Sequence, residues 1–117
     1  MLTFEAYCIL SDQIIENGNI AKALIECSEE DVLTAVNKHI GITMKLIIAN
    51  GVADPDTRDA FMNTLFHRYS EGPFTSKEHG YAAIDAINRA EHLFIALHTD
   101  AGTYADPEFE SFENEEF

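Results

Sequence analysis

Basic residues are scarce in this chain: seven Lys and Arg stand against 21 Asp and Glu, for a formal net charge of −14. Nucleic acid and anionic lipid both repel a chain of this sign, which argues against direct binding to either. The seven bases are scattered singly, with no basic patch interleaved with aromatics. Cysteine is nearly absent too. Cys8 and Cys27 are too few for a disulfide framework, and no basic, apolar, cleavable leader precedes them. The expected setting is the reducing cytoplasm, with both thiols acting as small apolar packing groups. No apolar run approaches the roughly 20 residues that span a bilayer. Tryptophan is missing and proline occurs three times. No segment alternates with period two, and neither Asn-Gly pair lies between strand-like runs, so sheet is not expected.

What remains is helical. Apolar residues make up 46% of 117 residues, enough for one domain with a single core. Phe4, Tyr7, Cys8, Ser11, Ile14 and Ile15 recur at helical steps over residues 3–16, and Asn17-Gly18 predicts a stop. A short second helix, capped by Asn19, is expected from Ile20 to Cys27, with Ile20, Leu24 and Cys27 or Ala23 on one face. Ser28-Glu29-Glu30-Asp31 predicts the start of a third, Ser28 capping the first turn and the acids facing its positive dipole end. Val32, Val36, His39 or Ile40, Thr43 and Ile47 carry one stripe to Asn50-Gly51, through Gly41. Asp54-Pro55 opens a fourth helix, whose face is Arg58, Phe61, Met62, Leu65, Phe66 and Tyr69. Thr75 and Glu78 form a capping box for a fifth, running to about His98 with Tyr81, Ile84, Ile87, Phe94 and Leu97 inward. The expected fold is all-α: a compact bundle of four to five helices over residues 1–99, followed by an acidic, aromatic-containing tail over 100–117.

Chemistry-bearing patterns are thin. His92 and His98 are six apart on different helix faces, whereas Glu91 and His98, seven apart, share one. There is no His-Glu-x-x-His, no Cys-x-x-Cys and no Glu-x-x-His on two helices, so no metal is expected and each His is read as a surface or half-buried polar group. A Mg²⁺-dependent nucleotide hydrolase needs paired carboxylates on facing helices. Glu26-x-x-Glu29 straddles the break predicted at Ser28, and Asp56-x-x-Asp59 sits where acids serve the helix dipole. Neither cysteine lies in a nucleophile motif, and Gly-x-Ser-x-Gly and Gly-rich phosphate loops are absent. The expectation is a protein that is not an enzyme, with no catalytic residues and no cofactor.

The positive signal is the final eighteen residues, which contribute −7 of the −14 with no Lys, Arg or His to offset it. Tyr104, Phe109, Phe112 and Phe117 are spaced through them. Acids supply long-range attraction and aromatics short-range anchors, so Glu108, Phe109, Glu110, Phe112, Glu113, Glu115 and Glu116 are the expected partner contacts. With Glu29, Glu30, Asp31, Asp54, Asp56 and Asp59 they are expected to form a negative band at roughly phosphate spacing, able to occupy a groove built for DNA or RNA. In size, charge and composition the chain resembles the small acidic helical proteins of mobile elements that block restriction or CRISPR effectors. The resemblance implies a non-enzymatic inhibitor of phage or plasmid type that mimics DNA toward a basic, nucleic-acid-binding protein, as a monomer or homodimer. The competing expectation is an oligomeric adaptor or small-ligand binder that uses Phe61, Phe66, Tyr69 and Tyr81, with charge serving only solubility.

Overall fold

Asn17-Gly18 does not end a helix. In the computed structural model, which describes residues 2–27, 31–72, 74 and 76–99, the first helix, α1, runs unbroken from Phe4 to Cys27. It buries Leu10, Ile14, Gly18, Ala21 and Ile25, a stripe stepping by three and four in which Gly18 is one member. The glycine is there for space. A Cβ at position 18 would lie 2.3 Å from Asn88 Nδ2, so its absence lets α4 bring a polar side chain against the α1 backbone. One continuous helix also resets the register expected for its second half. Ile20 and Leu24 are exposed, as are Ile9 and Ile15, and Cys8 and Cys27 are exposed thiols rather than packing groups.

Helix α2, Val32–Ala49, is capped by Asp31, whose carboxylate accepts from the Thr34 amide at 2.9 Å and the Thr34 hydroxyl at 2.9 Å. Those bonds, the backbone one foremost, hold the Asp31 carboxyl below the usual range. The start expected at Ser28 therefore falls three residues later; residues 28–30 lie outside the described ones. The expected stripe is present, with Val36, His39, Ile40, Thr43 and Ile47 all buried. By length and composition alone α2 is apolar enough to cross a membrane, at mean hydropathy 1.3 over its 18 residues. Its place in the fold accounts for that composition, since α2 packs against each of the other three helices.

The helix passes through Gly41 without a break, and apart from its own turn of helix nothing lies within 4 Å of where its Cβ would be. A glycine with no packing role costs a helix interior about 0.5–1 kcal/mol relative to alanine. Gly41→Ala is therefore expected to stabilise the protein by about that amount, read as a higher urea midpoint at unchanged slope; a lower midpoint would mean that α2 needs the freedom of Gly41.

Gly51, at φ +66°, turns the chain out of α2. Asp54 caps α3, Pro55–Tyr69, accepting from the Thr57 amide at 3.2 Å and hydroxyl at 2.6 Å, with Pro55 in the first turn as its missing amide allows. Only Leu65 of this helix is fully buried, while Phe61, Met62, Phe66 and Tyr69 pack against the core edge. Helix α4, Lys77–Leu97, begins one residue later than expected, with Ser76 as cap accepting from the His79 amide at 3.2 Å. Ile84, Ile87, Phe94 and Ile95 point inward, but Leu97 is 54% exposed. The described residues thus form an all-α fold of four helices without strands, to which one isolated bridge, Leu2 to Thr99, adds a tie between the two ends.

Side-chain pairs fix the topology. Glu26 meets Tyr81, Lys22 meets Asp85 and Ser11 meets His92, so α1 and α4 are antiparallel. His39 meets Asn88 and Thr43 meets Glu91, so α2 and α4 run the same way. Helices α1, α2 and α4 enclose the core, and α3 lies outside it, chiefly on α2. The α3 end is tied there by Asn37 Nδ2 donating to the Ser70 carbonyl at 3.0 Å. Toward α4 the main bridge is an aromatic stack, Phe61 on Phe94, with centroids 4.2 Å apart and planes within 7°.

Candidate functional site

The expected contact residues, Glu108, Phe109, Glu110, Phe112, Glu113, Glu115 and Glu116, lie outside the described residues, as do Glu29 and Glu30. Asp31 starts α2 and Asp54 starts α3, at opposite ends of an 18-residue helix that is about 27 Å long. Asp56 and Asp59 are exposed near the α3 start. The described residues hold all seven bases and twelve of the 21 acids, so nine acids, seven of them in 100–117, lie beyond them. Glu26 is exposed and accepts from the Tyr81 hydroxyl, which pushes that phenol up to about 12. Among the described residues no three His, Cys, Asp or Glu side chains are placed to hold a metal ion.

Two features remain, and the first is a chain of polar side chains inside the bundle. His39 on α2 is 1% exposed and Glu91 on α4 is 0% exposed, with Thr43 on α2, also 0%, bonded to Glu91. Asn17 Nδ2 lies 3.3 Å from His39 Nδ1, and His39 Nε2 lies 2.8 Å from Asn88 Oδ1. An amide N–H donates to Nδ1, so the ring proton sits on Nε2 and goes to Asn88 Oδ1. Desolvation lowers the His39 pKa, against a smaller opposing pull from Asn88. Glu91 is pushed the other way, from 4.5 up to about 8, by burial; the bond to Thr43 opposes this only partly. Both directions favour neutral partners, although Nε2 and Glu91 Oε1 are only 3.9 Å apart.

A protonated Glu91 also satisfies the donor accounting. The Thr43 hydroxyl is placed to donate to Glu91 Oε2, to the His39 carbonyl at 2.9 Å and to the Ile40 carbonyl at 3.2 Å, but it has one proton. With Glu91 protonated, the carboxyl O–H can donate to Thr43 Oγ1 while the hydroxyl serves the His39 carbonyl. Oε1 is left as a buried acceptor without a partner. That costs less for a neutral carbonyl than for a carboxylate. His39 corrects the reading of every histidine as surface or half-buried, and Glu91 is a fully buried acid. Both were detectable in principle. Ile84, Ile87, Glu91 and Phe94 are one helical stripe, and so are Val36, His39, Thr43 and Ile47. A polar residue in phase with an apolar stripe is a buried polar residue.

The second feature is a groove of about 510 Å³ between α3 and α4, open because α3 sits outside the core. Phe61, Leu65 and Tyr69 line one wall, and Ala90, Leu93 and Leu97 the other. Arg68 and Arg89, two of the three arginines in the chain, face it from opposite helices. Shallower depressions continue past Arg68 toward His67 on one side and His79 on the other. No carboxylate among the described residues lines any of the three. Of the aromatics expected on a binding face, Phe61 and Tyr69 are here, Phe66 packs against the core edge, and Tyr81 is on the α1 side with Glu26. Sequence reasoning missed Arg68 and Arg89, because nothing local places residues of two helices in one groove. Comparison of the chain with family models, curated proteins and solved structures finds no match.

Proposed function

We propose that this is a non-enzymatic, acidic interaction protein that engages the basic surface of a nucleic-acid-binding protein, in the manner of a phage- or plasmid-type DNA mimic directed at a restriction or CRISPR effector. The observation that carries the reading is the charge distribution: −7 in residues 100–117, without a base and with four aromatics, appended to a bundle that holds every Lys and Arg. The sealed position of His39 and Glu91 supports a structural role for this buried titratable pair, since no substrate reaches groups 0–1% exposed. In this reading electrostatics sets the encounter rate, and Phe109 and Phe112 slow release.

The test is capture by the tagged full-length chain from nuclease-treated host lysate, washed at about 0.1 M and then about 0.5 M salt, over which the Debye length falls from roughly 10 Å to less than half that. A nucleic-acid-handling protein retained at high salt is the expected result. Changing Glu108, Glu110, Glu113, Glu115 and Glu116 together to Gln is expected to weaken its capture at least about tenfold. Undiminished capture by that variant would overturn the reading, and loss of every protein at high salt would reduce the charge to a solubility device. A second reading, a helical adaptor or small-ligand binder, is favoured by the α3–α4 groove with Phe61 and Tyr69 in its wall.

A further inference from the structure

The α3–α4 groove is apolar, carries two arginines and no described carboxylate, and belongs to a chain in which acids outnumber bases three to one. A surface to which the described residues bring no acid suits an acidic occupant that brings apolar side chains. We infer that the occupant is the chain's own residues 100–117, held against the bundle when no partner is bound.

Three observations support this. Reach is sufficient: Leu97, at the end of α4, lines the groove, and Thr99 two residues on is the last described position before the segment starts. Eighteen residues extend to about 60 Å at most, whereas all of α3 is about 22 Å long. Asp100-Ala101-Gly102 has the residues that reverse a chain cheaply. Charge is complementary, since the segment holds seven acids and no base while Arg68 and Arg89 both line the groove. Chemistry is complementary as well: Phe109 and Phe112 supply two apolar rings, and Phe61, Leu65 and Leu93 give the groove an apolar lining. Tethering makes a weak contact adequate, because the effective concentration of a segment joined this closely is in the millimolar range. The consequence is self-competition. A basic partner must draw the segment off Arg68 and Arg89, so the free chain conceals the residues assigned to partner contact.

The experiment uses the isolated full-length chain, so its outcome is independent of whether the partner reading holds. Amide ¹H–¹⁵N spectra are compared between the unaltered chain and Phe109→Ala/Phe112→Ala at about 0.1 M salt, each at two concentrations tenfold apart. Docking predicts shifts at Leu65, Arg68, Tyr69, Arg89 and Ala90, none along α1, and no change on dilution. Arg68→Glu/Arg89→Glu, both on exposed positions, is expected to move the amides of residues 108–117 in the same way that raising salt to about 0.5 M does. Shifts confined to residues 100–117 would overturn the proposal. Groove shifts that vanish on dilution would overturn it in favour of a second copy as the occupant.

Discussion

Replacing Glu91 by Gln yields a protein whose stability relative to the unaltered chain rises by about 1.4 kcal/mol for each pH unit between pH 5 and pH 8, as read from urea unfolding. The sign follows from proton binding. Glu91 holds its proton in the fold up to about pH 8, whereas in the unfolded chain it releases it near 4.5. Below 4.5 both states are protonated and burial of the carboxyl costs no ionisation energy, so that stability is fully present. As pH rises, only the unfolded chain can ionise freely, and stability is lost until the folded carboxyl itself titrates. The total loss is about 5 kcal/mol, a large share of what holds a domain of this size together. Glutamine fits the same space, donates to Thr43 Oγ1 and never ionises, so it does not share the loss.

The two stability curves are expected to cross. Near pH 5 the variant is weaker by about 1–2 kcal/mol, because its second amide N–H lacks an acceptor where Glu91 Oε1 already lacks a donor. By pH 8 it is the more stable protein. His39 acts on the opposite limb: its depressed pKa means stability that is present above 6.5 and lost as pH falls through the folded value. Both proteins carry His39, so that limb largely cancels in the comparison. A gap that stays constant from pH 5 to 8 would show Glu91 ionised throughout. A Gln variant that is strongly destabilised at pH 6 would instead mean that His39 and Glu91 form a charged pair across their 3.9 Å separation.

The legible part of this fold is the part written in local chemistry. Asp54-Pro55 fixes the start of α3 because cap and first-turn proline act within four residues, and the α2 stripe is visible because Val36, Ile40 and Ile47 keep helical phase whatever packs on them. Position 18 shows where such reasoning stops. Asn-Gly ends a helix when nothing outside it needs the glycine; here Asn88, seventy residues away, occupies the space that a Cβ would fill. Once α1 is continuous, Ile20 and Leu24 turn outward and Ala21 and Ile25 turn in. Caps slipped for a smaller reason. Ser28 and Asp31, like Thr75 and Ser76, are all competent N-caps, and only the packed helix length chooses between them. The groove was out of reach because it arises from what α3 leaves uncovered.

Gly18→Ala is expected to destabilise the protein by about 1–2 kcal/mol despite alanine's better helix propensity. The new methyl lands 2.3 Å from Asn88 Nδ2 and 3.3 Å from its Cγ, so the amide has to swing away. It is the flexible end of a side chain and can move, but moving takes Oδ1 from His39 Nε2, 2.8 Å off, and leaves a buried N–H without an acceptor. Orphaning that donor costs about 1–3 kcal/mol, against roughly 1 kcal/mol gained from removing a mid-helix glycine. The discriminating step is to repeat the substitution in an Asn88→Ala chain. There the clash is gone and His39 is already unsatisfied, so Gly18→Ala should reverse sign and stabilise by up to about 1 kcal/mol. A sign reversal in this cycle ties the glycine to the polar chain through Asn88 alone. Additive effects would mean that Gly18 matters for α1 itself, and the case for α1 and α4 being registered by Asn88 would fall with it.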